Sequence, residues 1–484
     1  MGLYSFSFFS FFLVVFVLYW SLFNKSAKSQ NLLLTLSSLF FCAWIDTRFL
    51  ALLIFSIIFN FYTGRAIQNN KKNNRRYYLL GLVVNVGLLI YYKYFNFFYD
   101  SFISAFGLDK QGASHSAFNI ILPVGISFFT FQAIGYLIDI YNEEIESCTD
   151  LLTFATFITY FPKMTAGPIE KAQSFLVQVE KKRKFSHELA VDGMRQILWG
   201  SFVKLVIANN CAAIAGPIFD HYAVLPASSL LAGAFFYTFQ VYCDFSGYSN
   251  IAIGVSKLFG IQLMRNFASP FFSTNIREYW KKWHISLSSW MMHYVFTPIS
   301  FQLRKYGKAG VMISILITFL IIGIWHGANW TFIVFGLMHG IYFIPLILAG
   351  SNTKIAGVNS NVDSPSLKSA IKMLGVFILV MMTIIVFGAD TMSQAFHYIE
   401  RIFSFSLFSK PLFPGQESLV RMLITLCFIL LLLVTEWVQR SEEHEMRIDS
   451  IKSPVLRVAL YYAVFVIIFL FGSIAQINFL YSQF

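Results

Sequence analysis

From Val311 to Leu348 the chain passes through no Asp, Glu, Lys or Arg, and similar uncharged runs recur from its first residues to its last. Few folds tolerate such a pattern. With 57% hydrophobic, 18% aromatic and only 12% charged residues, a soluble domain of this length would lack the polar groups to cover its surface. Lipid accepts Phe-rich and Leu-rich helix faces, so the 56 Phe need no aqueous shell. The reading is an all-α polytopic membrane protein, and length alone does not require more than a single membrane-embedded domain.

Twelve apolar segments read as spans: residues 3–22, 31–44, 49–62, 78–98, 120–141, 197–215, 230–253, 311–324, 330–348, 371–387, 423–438 and 458–474. Several are shorter than the roughly 17–25 residues of a spanning helix, so polar ends must extend into the interface or some segments are half-helices. The first lacks a basic flank and a small-residue cleavage site, so it reads as a retained span rather than a signal peptide. Two further apolar segments, 151–161 and 285–299, read as re-entrant or interfacial, because "YFPKMTAGPI" breaks a helix and the second lies between basic clusters. Residues 351–369 read as a loop, and "TMSQAFHYIERIF" as an interfacial amphipathic helix in contact with membrane lipids.

The net charge of +12 would point to nucleic acid in a soluble protein, but here the basic residues gather between spans. Their first meaning is topological, and no nucleic acid is expected. Placing the clusters at Lys25 and Lys28, 65–76, 171–184, 265–282, 304–308 and 440–457 on the cytoplasmic side gives one path with the N-terminus outside, if the two re-entrant segments do not cross. The five cysteines show no C-x-x-C spacing, so neither a disulfide framework nor a metal site is expected. No Walker loop, dinucleotide fingerprint, H-E-x-x-H or G-x-S-x-G elbow is present.

Against this background His326, in "GIWHGANW", stands out. Counted from Val311 at about 1.5 Å per residue it lies roughly 23 Å along its helix, inside a hydrocarbon core of about 30 Å. Desolvation there favours the neutral imidazole that a general base requires, and Gly327 and Ala328 leave room for an approaching group. A histidine that merely hydrogen-bonds a neighbouring helix is an even competitor. His284, in "REYWKKWHISLSSW", follows Arg277, Glu278, Lys281 and Lys282; by composition this is a juxtamembrane basic helix anchored by Trp280, Trp283 and Trp290, and alternatively it brings a base and a basic surface to the mouth of a cavity. Asp244, in "CDFSGYSN", interrupts an apolar span as structural glue or as the partner that orients an imidazole. His339 has no polar sequence neighbours, and His115, His187, His221, His397 and His444 fall in loops or interfacial stretches; for all six the structural reading is preferred.

Four stretches, "YFPKMTAGPI", "FYTFQVYCDFSGYSNIAIGVSKLFGI", "NFASPFFSTNIREYWKKWHISLSSW" and "IGIWHGANWTFIVFGLMHGIY", together resemble the membrane-bound O-acyltransferase superfamily, in particular its bacterial alginate- and peptidoglycan-acetylating branch. The D-alanyl transferases of teichoic acid are more distant cousins. The match runs in order through residues 1–350; the motif-bearing core occupies about 120–350, with further helices over 351–484. The resemblance implies a core of about 11–12 transmembrane helices around a funnel or tunnel in the bacterial cytoplasmic (inner) membrane. It implies His326 as the principal catalytic histidine and His284 as the second of a pair. It further implies acetyl-CoA as cytoplasmic donor substrate, with no tightly bound cofactor, and a hydroxyl acceptor on an extracytoplasmic partner protein or polysaccharide. Trp325, Asn329, Trp283 and Asp244 are then expected to support the site, and Lys281, Lys282 and Arg304 to attract the donor's phosphates. One departure stands in this chain: Met292 and His293 replace the Arg-Asp pair usual after the W-H-x-S-L element, and residues 299–302 replace a Leu-Gly-Gly turn.

D-alanyl-type transfer is the near alternative. From another class, a proton-coupled transporter or flippase would use intramembrane His and Asp as a relay, but the expected internal inverted repeat is not visible. A membrane scaffold would make both histidines dispensable.

Overall fold

A computed structural model describes residues 2–106, 120–350, 366–414, 419–449 and 451–473. His115 and most of the 351–369 loop lie outside them. Every regular element among the described residues is helical. They fall into two compact units, residues 1–197 with 248–264, and residues 198–247 with 265–484.

The first unit contains α1 (Phe6–Ser21), α2 (Ala27–Ile45), α3 (Leu50–Asn69), α4 (Asn74–Ala105), α5 (Ile126–Tyr141), α6 (Leu151–Thr159), α7 (Phe161–Met164) and α8 (Ala172–Val179). The expected re-entrant segment 151–161 is thus a nine-residue helix broken at Tyr160, too short to cross. Polar groups between these helices are paired inside the protein: Asn60 on α3 and Asn85 on α4 exchange amide hydrogen bonds of 3.2 and 2.7 Å.

Two helices run through both units, α9 (His187–Phe202) and α11 (Ala227–Leu258); α9 continues through a π-helical stretch, Val203–Ala208, into α10 (Asn209–Asp220). The second unit adds α12 (Ile276–Lys282), α13 (Ile285–Met291), a π-helical turn at Met292–Phe296, α14 (Thr297–Gln302), α15 (Gly307–His326) and α16 (Trp330–Leu348). It closes with α17 (Leu367–Gly388), α18 (Met392–Ile402), α19 (Leu419–Val438) and α20 (Pro454–Phe471).

Each of the twelve expected spans overlaps one of these helices. Among the described residues, eight helical segments are long and apolar enough to cross a membrane, and α1 and α5 are shorter apolar helices. The remaining two expected spans, on α2 and α11, are more polar: α2 buries Gln30, Asn31, Thr35, Ser37 and Ser38, and α11 buries Asp244, Ser246 and Ser249.

The segment at 285–299, expected to be re-entrant or interfacial, lies in continuous helix from Ile285 to Gln302, about 26 Å at 1.5 Å per residue. It leads into α15, which runs back, since Trp325 at the end of α15 lies 6.0 Å, ring to ring, from His284 at the start of α13. Lys281 and Lys282 precede one end of this hairpin and Arg304 sits at its bend. Lys281 and Lys282 therefore lie near one end of α15 and Arg304 at the other.

Antiparallel α15 and α16 pack through glycine. A Cβ on Gly323 would lie 2.4 Å from the Phe332 carbonyl oxygen, and one on Gly336 would lie 2.3 Å from that of Phe319. Only Gly permits such backbone approach. Gly336→Ala is expected to lower stability by about 1–3 kcal/mol, whereas Gly375→Ala on α17, where a Cβ meets nothing within 4 Å, is expected to be neutral or mildly stabilising; thermal unfolding in detergent compares them.

Candidate active site

The α15 helix ends at His326, after which Gly327 is extended and Asn329 caps α16 by accepting from the Thr331 amide at 3.2 Å. His326 is thus the last residue of its helix, about 28 Å from Gly307 by helical rise, rather than partway along it. It is nonetheless only 5% exposed. Phe335 on α16 and Phe387 at the end of α17 stand edge-on to the imidazole, with ring centroids 5.5 and 5.4 Å away. Trp325 covers another side at 4.9 Å.

His284 comes from a different part of the sequence and arrives by an unusual backbone. It occupies the left-handed region, φ 44° and ψ 54°, at the N-cap of α13. A non-glycine residue there costs on the order of 1–3 kcal/mol and is retained only when its surroundings impose it. They do so on both sides: the Asn266 carbonyl accepts from the Ile285 amide at 2.8 Å, and the Ala268 amide donates to the Lys282 carbonyl at 3.0 Å. The ring is 1% exposed, edge-on to Phe245 at 4.6 Å, with Nδ1 3.2 Å from Asn266 Oδ1. The Trp325 indole, 6.0 Å from this ring and 4.9 Å from that of His326, brings the two histidines into one aromatic enclosure.

The other expected site residues divide. Trp283 is buried, stacking on Tyr279 at 5.4 Å and meeting Tyr242 and Phe267. Asn329 has a capping task, and its amide donates to the Asp390 carbonyl at 2.8 Å, tying the start of α16 to the end of α17. Asp244 forms a buried ion pair with Lys204. Lys204 was not singled out in the sequence; it lies in the π-helical stretch, and Gly247 clears the way for it, since a Cβ there would lie 2.8 Å from the Lys204 amide. Lys282 pairs with Glu278 at 2.7 Å, one turn back on α12. Burial alone would raise the Glu278 carboxyl, but hydrogen bonds from Lys282 and Thr274 hold it below its usual range. Lys281 is exposed beside this pair. Arg304 is exposed at the far end of α15, where it lies over the Phe301 ring at 4.1 Å.

His339 is buried and has polar partners that its own helix could not reveal. Trp280 Nε1 donates to its Nδ1 at 3.2 Å, so its proton sits on Nε2, facing Thr383 Oγ1 at 3.1 Å; Thr383 in turn donates to the Val380 carbonyl. Both ring nitrogens are occupied, which marks a structural histidine. His187, His221 and His397 are not enclosed in this way, and His444 is buried in the connection after α19.

The membrane-bound O-acyltransferase family profile matches residues 142–388, which contain His284, His326 and every residue described around them apart from Asp390. The chain is similar to a Pseudomonas aeruginosa protein named probable alginate O-acetylase AlgI, at 34% identity over 78% of this chain and 70% of the relative. It is similar to a Helicobacter pylori peptidoglycan O-acetyltransferase at 35% identity over 66% of this chain and 64% of the relative. A Bacillus subtilis teichoic acid D-alanyltransferase is 30% identical over 44% of this chain and 56% of its own length.

The Lys204–Asp244 pair yields a stability prediction. Lys204→Met leaves a carboxylate buried without its ammonium partner, and a loss of about 3–5 kcal/mol is expected; the double change Lys204→Met with Asp244→Leu should recover most of it. Thermal unfolding of the three variants reads this out.

Proposed function

The chain belongs to the membrane-bound O-acyltransferase family and is an integral multi-pass acyltransferase; from that premise we propose that it moves an acetyl group from acetyl-CoA to a hydroxyl, with His326 as general base. The observation that carries this reading is the pairing of His326 with His284 about one buried indole, from segments about forty residues apart in sequence. Lone structural histidines in helical bundles do not need such company, and His339 shows what a structural one looks like in the same unit.

In the proposed reaction the acceptor hydroxyl gives its proton to neutral His326 as its oxygen attacks the thioester carbonyl. The tetrahedral adduct then collapses, the C–S bond breaks, and the departing thiolate takes a proton from the imidazolium. A thioester is exchanged for an ester, so no nucleotide hydrolysis is needed. Donor phosphates are drawn by the exposed Lys281, next to Lys282 and close in sequence to His284. Arg304 stands at the other end of α15 and is not assigned to the donor. Asn329, whose amide is engaged by Asp390, is not assigned to the oxyanion.

The relatives are named for alginate, peptidoglycan and teichoic acid, which supports a polysaccharide or cell-wall acceptor, reached directly or through an extracytoplasmic partner protein. It also supports the cytoplasmic (inner) membrane of a bacterium as the site of action. Transfer of D-alanine is the related alternative.

His326→Ala, checked for insertion and folding, is expected to lower acetyl-CoA turnover in nanodiscs by roughly 10²–10⁴-fold; parental rates in that variant would end the assignment. Lys281→Gln is expected to raise the KM for acetyl-CoA several-fold with little change in kcat, while Arg304→Gln leaves both near parental values.

A further inference from the structure

We propose that Asn266 is a positioning residue that fixes the tautomer of His284, so that the ring carries its proton on Nδ1 and presents a basic Nε2 to the site. The inference rests on the reading of His284 as part of the acyl-transfer site and sharpens what that residue can do there.

The argument starts from a donor whose identity admits no choice. The backbone N–H of Ser286 donates to the Asn266 side chain at 3.3 Å, and the Ser286 hydroxyl donates to the same atom at 2.9 Å. An amide nitrogen cannot accept from a backbone N–H, so the atom is the carbonyl oxygen and the orientation of the amide is set. His284 Nδ1 lies 3.2 Å from that oxygen. Two lone pairs at this distance would repel, so Nδ1 must carry a hydrogen.

A neutral imidazole has one N–H, and the ring is buried to 1% exposure. With that hydrogen on Nδ1, the lone pair is on Nε2. The backbone enforces the arrangement: Asn266 also holds the Ile285 amide through its own carbonyl, while Ala268 holds the Lys282 carbonyl, so residues 266–268 bracket the left-handed His284 from both sides. Nδ1 also lies 3.5 Å from Ser286 Oγ, whose own hydrogen is given to Asn266 Oδ1.

The consequence concerns chemistry. A neutral histidine of this tautomer accepts at Nε2 and cannot donate there, so His284 does not steady a developing oxyanion. It receives a hydrogen bond from a donor in the site, and donors for the oxyanion come from other groups. His339 has the opposite tautomer, with Nδ1 accepting from Trp280.

The experiment uses the full chain, labelled with ¹⁵N-histidine and held in nanodiscs, with a His284→Gln sample to assign the resonance. The ring-nitrogen shifts of His284 are expected to show Nδ1–H from about pH 5 to pH 8, unchanged in Asn266→Asp, which keeps an oxygen in place, and lost or mixed in Asn266→Ala. An Nε2–H signature in the parent, or an unaltered tautomer in Asn266→Ala, overturns the proposal. Turnover adds a second readout: Asn266→Ala is expected to lower kcat about 10–100-fold with KM for acetyl-CoA near parental, and to have no further effect in a His284→Gln background. A further loss in that background would make Asn266 a packing residue and overturn its positioning role. If His284→Gln itself turns over acetyl-CoA at the parental rate, the participation of His284 falls, while the nitrogen shifts still decide the tautomer.

Discussion

A polar group enclosed by apolar helices has no water to turn to, and the protein must supply its partner from another segment. That requirement organises the unit containing the histidines. Lys204 answers Asp244, Asn266 answers His284, Trp280 and Thr383 answer His339, and the Asp390 carbonyl takes the Asn329 amide. Each pairing joins helices or turns distant in sequence. The same interactions that satisfy buried groups therefore determine which segments can be neighbours, and removing one member leaves a charge or dipole without compensation rather than a simple gap.

The histidines in this unit show how environment assigns roles to one side-chain type. His339 has both nitrogens committed and holds α12, α16 and α17 together. His284 is held through Nδ1 on a strained backbone. His326, at a helix terminus, is surrounded by Trp325, Phe335 and Phe387. Aromatic walls of this kind exclude water from the ring they surround. Strain at His284 belongs to the same logic, because a relaxed helical backbone would turn the ring along the helix instead of toward Trp325.

The helical class was legible in the sequence, and a helix overlaps each expected span, since uncharged runs report directly on burial in lipid or protein. His326 and His284 were legible as polar groups in apolar or basic surroundings. Asn266 was not, because one Asn in "RNFASP" carries no periodicity or charge to set it apart. Lys204 escaped for a similar reason: one Lys in "SFVKLVIANN" belongs to no motif, and its partner Asp244 lies forty residues away.

That π turn holds the residues in which the chain departs from the family pattern. Met292 and His293 stand where an Arg-Asp pair is usual, and both lie in the π-helical stretch Met292–Phe296. A π turn inserts one residue into the helix, rotating the residues beyond it by about 100° relative to a regular α-helix, and such insertions recur at functional sites. Thr297 steadies the widened turn by donating to the Met292 carbonyl at 2.7 Å. An Arg-Asp pair at this position would bring two charges that need compensation; Met292, 53% exposed, brings none. The replacement leaves the two-histidine enclosure intact, since its walls come from Phe245, Asn266, Trp325, Phe335 and Phe387. It changes instead the outer face of the helix that begins after His284.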